Sequence, residues 1–206
     1  MGLLRSAGMA PALDRASADV AFINTCAFIA DSAQESVDTI LEFARDRRDG
    51  KIDALVVAGC LAQRYGRSLM EEIPEIDALI GTGDCGLCVE AVQGALRGER
   101  PVFVGAPGFL AQEGGPRVIA TPGHFAYLKI AEGCANRCSY CLIPSLRGPA
   151  RSRPAEAIVR EAESLASSGV RELIVIAQDT TAYGRDLYGR PSLARLLREL
   201  AGVEGV

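Results

Sequence analysis

Apolar positions along this chain follow two spacings. Short continuous runs at residues 20–23, 52–58 and 76–80 fit strands buried on both faces. Between them, Val37, Ile40, Leu41 and Ala44 recur at helical spacing, with Asp31 or Ser32 as the expected cap. A second helix is predicted around residues 67–73, stopped by Pro74. A third is predicted to open at Gly81-Thr82-Gly83-Asp84 and run to about Leu96. Leu3, Leu4 and Ala7 share a helical face, so the chain is expected to open in mid-helix. Repeated strand–helix units with near-continuous apolar strands predict an α/β fold with a parallel sheet. Ligands of such sheets gather at the carboxyl ends of the strands, and Cys26 and Cys60 each fall just past one.

The pattern then breaks. Residues 98–122 hold Pro101, Pro107, Gly114-Gly115-Pro116 and Pro122, which predicts a linker with a small β excursion at 102–104. It resumes with a strand at 125–130, a cysteine-bearing loop and a helix at 155–167 between Pro154 and Gly169. A strand at 173–177, the loop Gln178-Asp179-Thr180-Thr181 and a helix at 193–200 follow. This reads as the first part of a partial (β/α) barrel; about two units are too few to close one. The expected organisation is a parallel-sheet domain at 1–97, a linker at 98–122 and the barrel portion at 123–206.

Composition narrows the function classes. The 206 residues are 49% apolar and 23% charged with a net charge of −4, values of a globular protein with a substantial core. No basic field advertises direct nucleic-acid binding. No apolar run is long enough to span a membrane. Seven cysteines, an odd count, with no secretory signal, point to a reducing cytoplasm. The start Met1-Gly2-Leu3-Leu4-Arg5-Ser6 formally fits a myristoylation pattern, but it reads better as the end of a helix.

The candidate chemistry lies in the run Glu132-Gly133-Cys134-Ala135-Asn136-Arg137-Cys138-Ser139-Tyr140-Cys141, a C-x3-C-x2-C spacing. A cubane iron–sulfur cluster usually takes four thiolates; three in one loop leave an iron open. The competing reading is zinc, which favours a second Cys or His pair. Here His124 is the sole histidine and Cys85-x2-Cys88 lies far upstream. Those two cysteines, at a predicted helix start, are either a redox pair or structural thiols. Arg137, Arg147, Arg151 and Arg153 lie in a stretch, 133–155, without Asp or Glu, and would either meet a carboxylate or line a solvated loop. Arg153, beside Pro154 at a helix start where the dipole disfavours a cation, is the one for which a ligand contact is expected. Gln178 and Asp179 end a strand, either as ligand contacts or as a polar cap. His124 reads as structural.

Several stretches together carry a resemblance. They are Ala18-Asp19-Val20-Ala21-Phe22-Ile23-Asn24-Thr25-Cys26, Gly59-Cys60-Leu61-Ala62-Gln63-Arg64-Tyr65, Gly81-Thr82-Gly83-Asp84, Tyr127 through Cys134, Ile143-Pro144-Ser145-Leu146-Arg147-Gly148, Arg151-Ser152-Arg153-Pro154 and Ala177 through Gly184. In this order the chain resembles the methylthiotransferase family of radical SAM enzymes. It looks most like the branch that modifies an aspartate of the twelfth small-subunit ribosomal protein, and less like the branch that modifies tRNA adenosines. The resemblance implies a [4Fe-4S] cluster on Cys134, Cys138 and Cys141 with S-adenosylmethionine at its open iron. It implies a second [4Fe-4S] cluster on three N-terminal cysteines, of which Cys26 and Cys60 match the second and third. Arg153 and Gln178 would bind S-adenosylmethionine. A ribosomal small-subunit protein would be the substrate, and a flavodoxin-type reductant the electron donor. The family's first cysteine would fall before Met1, and its remaining barrel strands and C-terminal β domain after Val206. The chain is therefore expected to be a piece of a longer enzyme that forms no methylthiolated product alone, or a non-catalytic module that binds the cluster and S-adenosylmethionine.

Overall fold

The structure is a computed structural model, and it describes residues 1–110, 115 and 117–206. Gly114 and Pro116 of the expected linker lie outside the described residues. Two units are present: Met1–Phe109 with Ser145–Arg147, and Leu110–Pro144 with Gly148–Val206.

The first unit contains α1 (Gly2–Ser6), β1 (Val20–Thr25), α2 (Ala30–Arg48), β2 (Ala54–Gly59), α3 (Cys60–Tyr65), α4 (Arg67–Glu72), β3 (Ala78–Ile80), α5 (Cys88–Leu96) and β4 (Val102–Phe103). The strands lie in the order β1-β2-β3-β4, every pair parallel. All six residues of β2 are buried. A central strand covered on both faces has no use for polar alternation, which is why it reads Ala-Leu-Val-Val-Ala-Gly. On one face Ala54, Val56, Ala58, Ala78 and Ile80 pack with Cys88, Ala91, Val92 and Ala95 of α5. Asp77 is buried just ahead of β3. It accepts from Arg47 of α2 at 2.8 Å and from the Leu55 N–H at 2.8 Å, the pairing a buried charge requires.

Two local expectations change here, and one short helix is added. Helix α2 begins at Ala30 behind Ile29 with no side-chain cap; Asp31 instead lies in the first turn, where its charge suits the helix dipole. Residues 60–65 form a helix of their own, too short to show a period. The helix expected from Asp84 opens as a 3-10 turn, Cys85–Leu87, before α5.

The remaining elements are β5 (Phe125–Lys129), β6 (Ala131–Glu132), α6 (Ile143–Arg147), β7 (Arg151–Ser152), α7 (Ala155–Ser167), β8 (Glu172–Ile176), α8 (Arg185–Tyr188) and α9 (Leu193–Ala201). Strands β5 and β8 pair in parallel from Phe125↔Glu172 to Lys129↔Ile176, with α7 in the crossover. Leu128, Ile130, Ile158, Ala162, Leu165, Leu196 and Leu200 form this unit's core. Within α7 the buried positions Ile158, Ala162 and Leu165 keep the spacing of one helix face. An antiparallel pair, Ala131↔Ser152 and Glu132↔Arg151, closes the base of the excursion that carries the three cysteines. Among the described residues no helix is long and apolar enough to cross a membrane.

Candidate functional site

Cys26 and Cys60 follow the last paired residues of neighbouring parallel strands, Thr25 and Gly59. Cys26 is exposed and Cys60 buried. The turns that carry them are tied by side chains. The Thr25 hydroxyl donates to the Ala58 carbonyl at 2.6 Å and accepts from the Leu61 N–H at 3.2 Å. The Cys26 N–H donates to Ser36 Oγ at 3.0 Å, and that hydroxyl lies 2.8 Å from the Ser32 carbonyl. Gln63 of α3 accepts from the Thr82 N–H at 2.9 Å and donates to the Gly105 carbonyl at 3.0 Å, which links the ends of β3 and β4. Gly59 has φ 99°, and a Cβ there would stand 2.6 Å from the Thr25 carbonyl oxygen. Only glycine lets the chain turn so close to β1 before Cys60.

Cys134 and Cys141 are half-buried and Cys138 is exposed. The loop leaves β6 through Gly133, at φ 72°, where a Cβ would collide with the Pro149 carbonyl oxygen. The Cys134 N–H donates to the Gly148 carbonyl at 3.1 Å, and the Cys141 N–H to the Cys138 carbonyl at 3.1 Å. The latter closes a turn that presents Tyr140, 87% exposed. Among the described residues no group of three or more His, Cys, Asp or Glu side chains stands close enough to hold a metal ion. The donor chemistry nonetheless fits an iron–sulfur cluster: three soft ligands share one short loop with no carboxylate between Gly133 and Ala155. Both this loop and Gln178 follow the carboxyl ends of a parallel strand pair, the position where barrel folds carry their chemistry.

Gln178, two residues past β8, has a buried Oε1 with no hydrogen-bond partner. A buried orphan acceptor calls for an explanation, and a ligand N–H donor supplies one. Arg153 is placed differently. It is 3% exposed; its guanidinium donates to the Lys129 carbonyl at 2.7 Å and pairs with Glu161 of α7 at 2.6 Å. Glu161 also pairs with Arg117. The Arg153 charge is thus engaged inside the fold, and drawing it to a ligand would take one of two cations from the partly buried Glu161 carboxylate. The Asp179 carboxyl is held below the usual carboxylate range, chiefly by the hydrogen bond from the Thr181 hydroxyl.

Three further candidates make contacts within the fold. Cys85 Sγ lies 3.6 Å from the Thr82 carbonyl, and Cys88 packs into the core. His124 leans against the Phe125 ring, with ring centroids 5.1 Å apart. Sequence reasoning passed over Thr25, Ser36, Gln63 and Asn136, because each acts through a partner distant in the chain.

Comparison with known proteins adds to this. Residues 1–81 match the family model described as uncharacterized protein family UPF0004, and residues 128–204 match that of the radical SAM superfamily. The chain is 53% identical over 205 residues to the ribosomal protein uS12 methylthiotransferase RimO of Pelotomaculum thermopropionicum, covering all of this chain and 46% of that protein. It is 54% identical over 206 residues to the protein of the same name from Symbiobacterium thermophilum, covering 42% of it. The chain therefore spans under half the length of these curated relatives. Among solved structures, the radical S-adenosylmethionine methyltransferase TsrM of Kitasatospora setae, with cobalamin and a [4Fe-4S] cluster bound, superimposes with a TM-score of 0.60 at 19% identity. That match covers 88% of this chain and 41% of TsrM; it shows a shared fold.

Proposed function

From a chain that is RimO-like along its whole length, we propose that this protein serves a radical SAM methylthiotransferase, adding a methylthio group to the β-carbon of an aspartate in ribosomal protein uS12. The observation that carries the proposal is the loop of Cys134, Cys138 and Cys141 past β5, beside a parallel partner strand that ends at the orphaned acceptor Gln178 Oε1. A bound [4Fe-4S] cluster with S-adenosylmethionine would supply the one-electron chemistry that breaks an unactivated C–H bond, which no side-chain acid or base achieves at neutral pH. The chain's own residues have simpler tasks. The three thiolates hold iron, and Gly133 and the Gly148 carbonyl fix where the first of them starts. Gln178 Oε1 would accept a hydrogen bond from the ammonium group of a bound S-adenosylmethionine. Arg153 ties β5 to α7 beneath the loop. Cys26 and Cys60 would supply thiolates to a second cluster, whose chemistry would be to hold the sulfur for transfer. A flavodoxin-type protein is the reductant, and the reaction takes place in the cytoplasm, where thiols stay reduced.

Disrupting the gene that carries this sequence tests the proposal. Mass spectrometry should show that uS12 loses its methylthio group while tRNA adenosines keep theirs. Loss from tRNA with uS12 unchanged would overturn the proposal in favour of the tRNA-modifying branch.

A further inference from the structure

We infer that Asn136 and Asp179 form a latch that positions the cysteine loop against the carboxyl end of β8; the inference rests on the cluster-binding reading above. From Cys134 to Cys138 the chain has no regular secondary structure. Asn136, in the middle of that span, reaches 43 residues along the chain: its Nδ2 donates to Asp179 Oδ2 at 3.1 Å. The receiving carboxylate is set in advance. Asp179 Oδ1 accepts from the Thr181 N–H at 3.1 Å and from the Thr181 hydroxyl at 2.6 Å, which fixes the carboxylate and turns Oδ2 to the loop. An ionised acceptor makes the bond charge-assisted. A neutral amide as donor ties the loop down without adding a cation between two thiolate ligands. Because Asp179 adjoins Gln178, the same bond sets the loop relative to the orphaned Gln178 Oε1. Asn136 and Asp179 are thus positioning residues that act through the cysteines and Gln178.

Hydrogen exchange on the cluster-free chain tests the latch directly. Asn136→Ala and Asp179→Ala should each speed exchange of the loop's hydrogen-bonded amides, Cys134 and Cys141, by about three- to tenfold, and the double variant should add little further, as coupled partners do. Asn136→Asp should loosen the loop through like-charge repulsion, and adding Asp179→Asn should restore protection by reversing donor and acceptor. The thermal midpoint of Asn136→Ala should stay at the unaltered value. After anaerobic reconstitution, Asn136→Ala should keep its iron but lose most of the change that S-adenosylmethionine induces in the reduced cluster's EPR signal. Additive exchange effects, no rescue by the reversed pair, or an intact EPR response would overturn the latch. Exchange is read without cluster, and iron uptake by the unaltered chain tests the reading beneath it, so the two can fail separately.

Discussion

The sheet edge of the first unit and the cysteine loop of the second both present thiols past the ends of parallel strands, yet they are held in different ways. At the sheet edge, Cys60 is buried at the start of a helix, and the turns around it are joined by Thr25, Ser36 and Gln63. In the loop, Cys138 is exposed and the chain between Cys134 and Cys138 is irregular. Each region uses a left-handed glycine, Gly59 or Gly133, to place the cysteine that follows. The difference teaches where ordering energy comes from. The edge is built into the sheet and is organised by folding. The loop is tied at its base and through Asn136, and metal binding would supply further ordering energy to its own ligands.

Substitutions at the edge should therefore cost stability, and substitutions in the loop should not. The largest effect is expected for Gly59→Ala, which combines a positive φ with a Cβ against the Thr25 carbonyl. It should destabilise by about 3 kcal/mol, read by urea unfolding; a loss within about 0.5 kcal/mol would remove the claim that this turn is tightly packed. Next comes Thr25→Val, which keeps shape but leaves the Leu61 N–H and the Ala58 carbonyl without the hydroxyl. A cost of about 1–3 kcal/mol is expected, and a neutral result would show that the two strand ends do not depend on this tie.

A smaller effect concerns Asp186, whose carboxylate accepts from the Ser152 N–H at 2.7 Å and the Ser152 hydroxyl at 2.6 Å. Burial pushes this carboxyl up, but the hydrogen bonds from Ser152, with those from the Asp186 and Leu187 N–H groups, together outweigh it and leave it below the usual range. A folded-state value below the unfolded one stabilises the fold above the unfolded value. That contribution fades as pH falls through the lowered one. Asp186→Asn should thus flatten the acid limb of the stability–pH profile by under about 1 kcal/mol, given its exposure to solvent. An unchanged limb would deny the Ser152 bonds any role. The smallest effect is expected for Cys138→Ser in the cluster-free chain, within about 0.5 kcal/mol of the original. A cost of several kcal/mol would place the loop in the same class as the edge.

What could be read from the sequence divides along the same line. Helix α7 has the limits that Pro154 and Gly169 implied, and β2, Ala54–Gly59, overlaps the unbroken apolar run expected at 52–58. Both signals are local in the chain. The pair β6–β7 has two residues per strand, too few for any alternation to register, although it closes the base of the site. The cysteine spacing was legible because the ligands are sequence neighbours. The ties around it were not, because Asn136 with Asp179 and Thr25 with Leu61 meet only once the strands are in place. Arg153 shows the same limit. Its unfavourable position at a helix start suggested a ligand, but the cation is met by Glu161 further along α7.

Iron content is the most direct measure of the central claim, that Cys134, Cys138 and Cys141 hold a cluster. The chain and its variant with all three changed to Ala should be reconstituted anaerobically side by side, and iron counted per chain. The variant should hold about four irons fewer, the content of one cubane, and should lose the visible charge-transfer band that accompanies it. A variant that retains all the iron of the unaltered chain would contradict the claim.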